Sequence, residues 1–316
     1  MMKTDCTIKY TTLFGPVLSR RLGISLGVDL VRHKTCSLDC VYCECGATTH
    51  LTQTRQAYVP VDRVKAELTA YLSRDERIDC ITFSGSGEPT LNEGIGEIIR
   101  FLKTDYPQYR VALLTNSTLL DRSDVRREVM DADVVMASID AATQTSFERV
   151  NRPHPGLDLE AIIGGVTAFG KMCRGKLVIE CFLVAGCNDT MSELVELKTI
   201  LKDIGADGVL LNTLDRPGTE DWVQPVAQRR LKDISDFFEG AEIVKYRSAA
   251  PEKAMGHEDL LGRLIETVRR RPCTAQDVSL LMGLDIEIVQ SNLDRLVAAE
   301  KLSIKRMKRG VFYTTA

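Results

Sequence analysis

Short apolar runs alternate with amphipathic stretches through most of the chain, and their periods separate strands from helices. Runs at Ile24–Arg32, Asp79–Phe83, Arg110–Leu114, Asp133–Ile139, Lys176–Val184 and Asp207–Leu211 are brief and rich in Val, Ile and Leu, which predicts strands. Between them, apolar positions at helical spacing predict helices over Val61–Arg74, Glu93–Lys103, Ser123–Met130, Leu159–Lys171 and Ser192–Ile204, the second ending before Pro107. Repeated βα units imply α/β architecture, a parallel sheet with helices outside it, and about six such units can curl into a partial (β/α)6 TIM-like barrel. Functional groups gather at the carboxyl ends of such strands. Each predicted strand end here carries a polar or glycine-rich run: Ser84-Gly85-Ser86-Gly87-Glu88-Pro89-Thr90, Thr115-Asn116-Ser117, Ser138-Ile139-Asp140, Gly186-Cys187-Asn188-Asp189 and Asn212-Thr213-Leu214-Asp215-Arg216-Pro217.

The pattern changes after Tyr246. Residues 1–246 form the predicted barrel, residues 247–256, with Ser248, Ala249, Ala250, Pro251 and Gly256, read as a linker, and residues 257–316 form a second, small domain. That domain predicts helices over Glu258–Arg270, Ala275–Met282 with Thr274 as cap, and Ile286–Glu300, then a hairpin across Leu302–Thr314 turning at Lys308-Arg309-Gly310. Three helices and a hairpin make a winged helix. Lys305, Arg306, Lys308 and Arg309 crowd the wing, and Arg269, Arg270 and Arg271 end the first helix. Asp277, Asp285, Glu287, Asp294 and Glu300 oppose a DNA-reading role, so peptide binding, a lid or a dimer contact is the better expectation.

Composition adds bounds. With 316 residues and 44% hydrophobic content, the chain can fill a large core and a small one. A net charge of -3 excludes a surface built throughout for polyanions, although a local basic face stays possible. Ten cysteines are too few for a secreted disulfide scaffold, and the polar start with Lys3, Asp5 and Lys9 does not read as a signal peptide. A cytoplasmic protein is expected. No apolar run approaches the ~18 residues of a membrane span.

The chemistry concentrates in Cys36-Ser37-Leu38-Asp39-Cys40-Val41-Tyr42-Cys43, placed directly after the first predicted strand. Thiols at this spacing meet only on a tight loop, where they serve as iron or zinc ligands. Zinc would require a fourth Cys or His at paired spacing, and Cys45, His33 and His50 are poorly placed for it. A [4Fe-4S] cluster on three cysteines leaves one iron open for chemistry. Cys173, Cys181 and Cys187 are expected as small buried hydrophobes rather than as a second cluster, and His154 as a loop residue.

Cys36-x3-Cys40-x2-Cys43, with Tyr42 just before the last cysteine, resembles the signature of the radical S-adenosylmethionine (SAM) superfamily. The resemblance covers roughly residues 15–217. Its lead-in, Gly15-Pro16-Val17-Leu18-Ser19-Arg20-Arg21-Leu22-Gly23, is similar to that of iron-sulfur oxidoreductases grouped near the wyosine-forming tRNA enzymes. Those enzymes carry further cysteines before the motif, where this chain has Cys6 alone. The resemblance implies that Cys36, Cys40 and Cys43 hold a [4Fe-4S] cluster whose open iron takes SAM. An electron from the reduced cluster would then release methionine and a 5′-deoxyadenosyl radical, which abstracts hydrogen from a substrate.

Each strand end acquires an expected task. Gly85 and Gly87 would let the backbone approach SAM, and Glu88 would accept its ammonium. Asn116 would meet ribose hydroxyls or the methionine carboxylate, or else favour a turn. Ser138 and Asp140 resemble ribose or amino-acid contacts, although Asp140 equally fits a helix cap. Arg152 would clamp a carboxylate or lie on the surface, and Tyr42 would sit near adenine or in the core. The implied partners are a reducing protein such as flavodoxin or ferredoxin and an unidentified substrate, RNA base or peptide. An iron-sulfur redox sensor that binds nucleic acid through the winged helix is the alternative. A sensor needs thiols but has no use for Glu88 and its glycines.

Overall fold

The computed structural model describes residues 10–19, 21–74, 77–244 and 260–315. The expected linker at 247–256 lies outside the described residues. The chain opens with an antiparallel hairpin, β1 (Leu13–Ser19) and β2 (Gly23–Val28). The cysteine loop follows and contains a two-residue parallel pair, β3 (Thr35–Cys36) and β4 (His50–Leu51). Next come α1 (Val61–Leu72), β5 (Cys80–Phe83), α2 (Ile95–Asp105), β6 (Arg110–Thr115), α3 (Ser123–Val129), β7 (Val134–Ser138) and α4 (Gln144–Asn151). Then α5 (Leu159–Gly170), β8 (Lys176–Leu183), α6 (Met191–Ile204), β9 (Gly208–Thr213), α7 (Gln228–Phe237) and β10 (Glu242–Ile243) complete the first part.

The result is a mixed α/β fold around an eight-stranded sheet ordered β1-β2-β5-β6-β7-β8-β9-β10. Every neighbouring pair from β2 onward is parallel. The central strands are apolar because both faces are covered. One face meets the helices in the main core, where Leu68, Ile81, Phe83, Ile98, Val111, Phe169 and Ile179 are fully buried. The other face holds a smaller cluster of Leu22, Cys80, Ala112 and Met136, with Val178 and Leu210 packed against it. Arg21, in the turn before β2, reaches across this second face to an ion pair with Glu180 on β8, which Asn212 of β9 also contacts at 2.9 Å.

Six expected strands are present, but β1, β10, α4 and α7 escaped the hydrophobic pattern. The expected strand at Ile24–Arg32 ends at Val28, and the Asp29 N–H makes the last contact in register with the hairpin, donating to the Thr12 carbonyl at 2.8 Å. Side-chain caps fix the helix starts: Thr143 for α4, Asp158 for α5 and Thr190 for α6 each accept from the backbone three residues on.

The remainder forms α8 (Leu260–Arg270), α9 (Ala275–Met282), α10 (Ile286–Ala298) and an antiparallel hairpin of β11 (Leu302–Met307) and β12 (Gly310–Thr315). Thr274 and Asp277 build a capping box at α9, and Gly283 closes that helix in the left-handed region. Leu264, Val278, Leu293 and Tyr313 lie in its separate core. Among the described residues, no helix is long and apolar enough to cross a membrane.

Candidate functional site

The cysteine loop leaves the carboxyl end of β2 and is pinned on two sides. On one side, the Asp39 and Val41 N–H groups donate to the carbonyls of Asn151 (3.0 Å) and Val150 (3.0 Å) at the end of α4. On the other, the Glu88 N–H donates to the Thr35 carbonyl at 3.1 Å. Val41 is fully buried against Val150, Phe182, Val184 and Leu214, and it anchors the loop between Cys40 and Cys43.

Each of the three thiols meets a different N–H donor. The Asn116 Nδ2 lies 3.4 Å from Cys36 Sγ, the Asn151 Nδ2 3.5 Å from Cys40 Sγ, and the Lys34 Nζ 3.1 Å from Cys43 Sγ. Lys34 is buried, which disfavours its charge, yet the Cys43 and Cys36 sulfurs outweigh that cost and hold the ammonium above its usual value. Burial pushes the Cys36 thiol up to about 11 and raises Cys40 as well. Cys43 moves the other way, to about 6, through a hydrogen bond from Cys45 and the nearby Lys34 ammonium.

These features fit an iron-sulfur group: three thiols on one short loop, with N–H donors aimed at the sulfurs, as cluster ligation favours. Among the described residues, no three His, Cys, Asp or Glu side chains converge closely enough to hold a single metal ion. A cubane offers separate irons to separate thiolates, so it does not need that convergence.

The strand-end residues gather around this loop, but several hold partners other than those expected. Glu88 is only 2% exposed and faces inward. Its oxygens accept from Thr90 N (3.0 Å), Thr90 Oγ1 (2.6 Å), Thr115 Oγ1 (2.7 Å) and Asn116 N (2.7 Å). Three of these donors fall on Oε1 and one on Oε2, and through them Glu88 staples the ends of β5 and β6 together. Burial raises its carboxyl above the usual value, with those donors acting in the opposite sense.

Gly85 and Gly87 are likewise explained by the chain itself. Gly85 has φ +137, and a Cβ there would collide with the Asp29 carboxylate. A Cβ on Gly87 would strike the Thr35 carbonyl. Both glycines thus permit the Ser84–Thr90 segment to lie directly on the cysteine loop.

Asn116 also departs from the expected ribose contact. Its Nδ2 donates to Ser37 Oγ at 2.9 Å as well as pointing at Cys36, and its Oδ1 accepts from Thr118. Asp140 neither caps a helix, a task Thr143 performs, nor presents a free oxygen to ribose. It accepts from Tyr42 Oη, from Asn151 Nδ2 at 2.7 Å and from the Phe182 N–H at 2.8 Å. Burial pushes its carboxyl up to about 6 despite these donors.

Tyr42 stacks on Phe182 with centroids 3.7 Å apart and 8° between planes. Its ring is part of the packing, the second of its two expected readings. Arg152, in the left-handed region at the end of α4, pairs through one nitrogen with Glu220 at 2.5 Å. Ser138 ends β7 opposite Glu180, on the sheet face that Arg21 crosses.

Lys34, Asn151 and Asp29 were not singled out from sequence. Lys34 stands two residues before the first cysteine, a visible signal; Asn151 and Asp29 become functional only when α4 and β2 deliver them to the loop. Asp29 accepts from Ser86 N (3.1 Å) and Ser86 Oγ (2.9 Å) through one oxygen.

The class follows from this fold and loop together with the match of the Radical SAM superfamily model over residues 30–201: the chain belongs to the radical SAM superfamily, enzymes that use a [4Fe-4S] cluster and SAM. More particularly, it is 31% identical over 306 residues to a UPF0026 protein of Helicobacter pylori (strain J99 / ATCC 700824), covering 95% of this chain and 96% of that one. A Brachyspira hyodysenteriae protein named GTPase Obg is 32% identical over 309 residues, and this chain spans only 44% of its length. The Geobacter sulfurreducens dual-specificity RNA methyltransferase RlmN is 29% identical over 177 residues, 54% of this chain and 46% of that enzyme. A radical SAM methyltransferase from Sphaerobacter thermophilus shares the fold with a TM-score of 0.52 at 18% identity, covering 69% of this chain and 66% of that one.

Proposed function

We propose that Cys36, Cys40 and Cys43 hold a [4Fe-4S] cluster and that the chain binds SAM beside it. The observation carrying this reading is the N–H donor aimed at each of the three sulfurs, from Lys34, Asn116 and Asn151. When bound, the cluster and SAM supply reductive sulfonium cleavage and hydrogen abstraction from a substrate. The residues of the chain do the holding. Asn116 and Asn151 orient neutral amide dipoles toward two sulfurs, and the Lys34 ammonium offsets negative charge at the third. Glu88 fixes the spacing of the β5 and β6 ends, and the Tyr42-Asp140-Asn151 chain keeps the Asn151 amide turned to Cys40.

We take the curved sheet as a partial (β/α)6 barrel over residues 1–246 and residues 257–316 as a winged-helix domain, supported by the three helices and hairpin there. SAM meets the Ser86–Glu88 segment and the rim near Ser138, Asp140 and Arg152. The RlmN-named relative favours an RNA base over a peptide as substrate, and a flavodoxin or ferredoxin serves as electron donor. The nine described cysteines are free thiols, which suits the cytoplasm.

The test is anaerobic reconstitution with iron and sulfide, followed by dithionite and SAM. 5′-Deoxyadenosine should accumulate, and Cys40→Ala should abolish it. Intact SAM beside a full complement of cluster iron would refute the proposal. Deuterium-labelled RNA and peptide pools would then show which substrate passes its hydrogen to the product.

A further inference from the structure

The small domain docks at the carboxyl ends of the strands. Arg270, the last residue of α8, places NH1 3.2 Å from Asp29 Oδ2, with its guanidinium carbon 4.4 Å from the Phe14 ring centroid. The Arg270 carbonyl lies 3.4 Å from Cys45 Sγ. Asp29 is 7% exposed, and the oxygen facing Arg270 is the one that accepts from Ser86 N and Ser86 Oγ. Its other oxygen accepts from the Val31 N–H at 3.4 Å. A single carboxylate oxygen therefore joins the small domain to Ser86, the residue leading into Gly87-Glu88-Pro89.

We infer that Arg270 and Asp29 are positioning residues for SAM, so that the small domain completes the SAM site without touching the cluster ligands. This rests on the radical SAM reading above. A nearly buried carboxylate is stable only while its cation and donors are in place. With Arg270 docked, Asp29 is fixed and holds the Ser86 N–H and hydroxyl inward, leaving the Ser86 carbonyl side and the Gly85–Gly87 backbone in one conformation. With Arg270 withdrawn, Asp29 turns to water and releases Ser86. Coupling of this kind is reciprocal: docking tightens SAM binding, and SAM tightens docking.

The second clasp between the two parts lies elsewhere. Arg216, after β9, holds Asp277 of α9 at 2.7 Å and the Pro272 carbonyl at 2.7 Å. Lys305 of β11 pairs with Asp221. Neither contact reaches Ser86, so Lys305→Ala serves as a control that loosens the same domain at another point.

The experiment uses the full chain with its cluster reconstituted anaerobically and measures SAM affinity by equilibrium dialysis, iron content and SAM-induced protection of the small domain from proteolysis. Arg270→Ala should weaken SAM binding about tenfold and remove the protection, with iron content unchanged. Arg270→Lys, which keeps the charge, should recover most of the affinity, and Lys305→Ala should leave it intact. Asp29→Asn combined with Arg270→Ala should cost less than the sum of the two single changes. Equal SAM affinity in Arg270→Ala and the unaltered chain would overturn the inference and leave the proposed function standing. Failure of the unaltered chain, with its cluster, to bind SAM would overturn both.

Discussion

Arg216→Met removes the cation from the buried clasp between the β9 loop and the small domain. The Arg216 side chain is 4% exposed, and Asp277 beside it is 6% exposed. Breaking one member of a buried pair costs about 3–5 kcal/mol, mostly from the charge left behind. Here Asp277 keeps Arg309, whose nitrogens stand 2.8 and 2.9 Å from its two oxygens, so the lower end, about 3 kcal/mol, applies. Asp277→Ala is the harsher change. It leaves Arg216 with only Glu44 at 3.7 Å and Arg309 with only Asp215 at 3.2 Å as carboxylate partners among those described, and it removes half of the capping box on α9, for a total of about 4 kcal/mol. Urea titration of the full chain reads both effects. Trp222, the only tryptophan, is 48% exposed and next to the Asp221 that pairs with Lys305, so its fluorescence follows separation of the two parts. Circular dichroism follows loss of helix. The midpoint for Arg216→Met should fall by about 1–3 M urea, and further for Asp277→Ala. An Arg216→Met protein within about 1 kcal/mol of the original, or one less stable than Asp277→Ala, would refute the reasoning.

Two other outcomes are expected. Burial pushes the Glu67 carboxyl up, but donors from Thr11 and Thr12 at 2.6–2.9 Å outweigh it and hold the group below its ordinary value of 4.5. A depressed folded-state value contributes stability that is present above the unfolded value and lost as pH falls through the folded one. Melting temperature should therefore drop less steeply below pH 4.5 in Glu67→Gln than in the original chain, and parallel curves would count against it. Lys34→Met should leave the fold intact but speed iron loss to a chelator about 10–100-fold, as second-layer changes at metal sites do. Unchanged iron release would show that the Lys34 ammonium does not support the cluster.

The alternation of apolar runs was enough to find β2 and β5 through β9, because parallel strands covered on both faces are nearly continuous hydrophobic stretches. It missed β10, two residues long, and α4, whose Gln144-Thr145-Ser146 start is polar. The three cysteines and the strand-end runs were equally legible, since spacing alone brings them to one loop and one end of the sheet. What sequence could not supply was direction. Glu88, Asn116 and Asp140 sit where the pattern put them, yet each points into the protein, toward Thr115, Ser37 and Tyr42. A motif names residues at a site; only the packed chain shows whether a carboxylate faces a ligand or a neighbouring backbone amide.

The Arg21–Glu180 pair also bears on how the protein is made. Its members are 159 positions apart, and the arginine lies in the turn that joins β1 to β2. Until β8 has been synthesised, the opening hairpin has no charge to meet across the face that holds Leu22 and Met136, so that face waits open for the 159 positions between the two partners. Contacts this distant in sequence form late and slowly, because a long loop must close before they are made. A nascent chain arrested before Glu180 would then expose Leu22, Cys80, Ala112 and Met136, the surface a chaperone would be expected to grip.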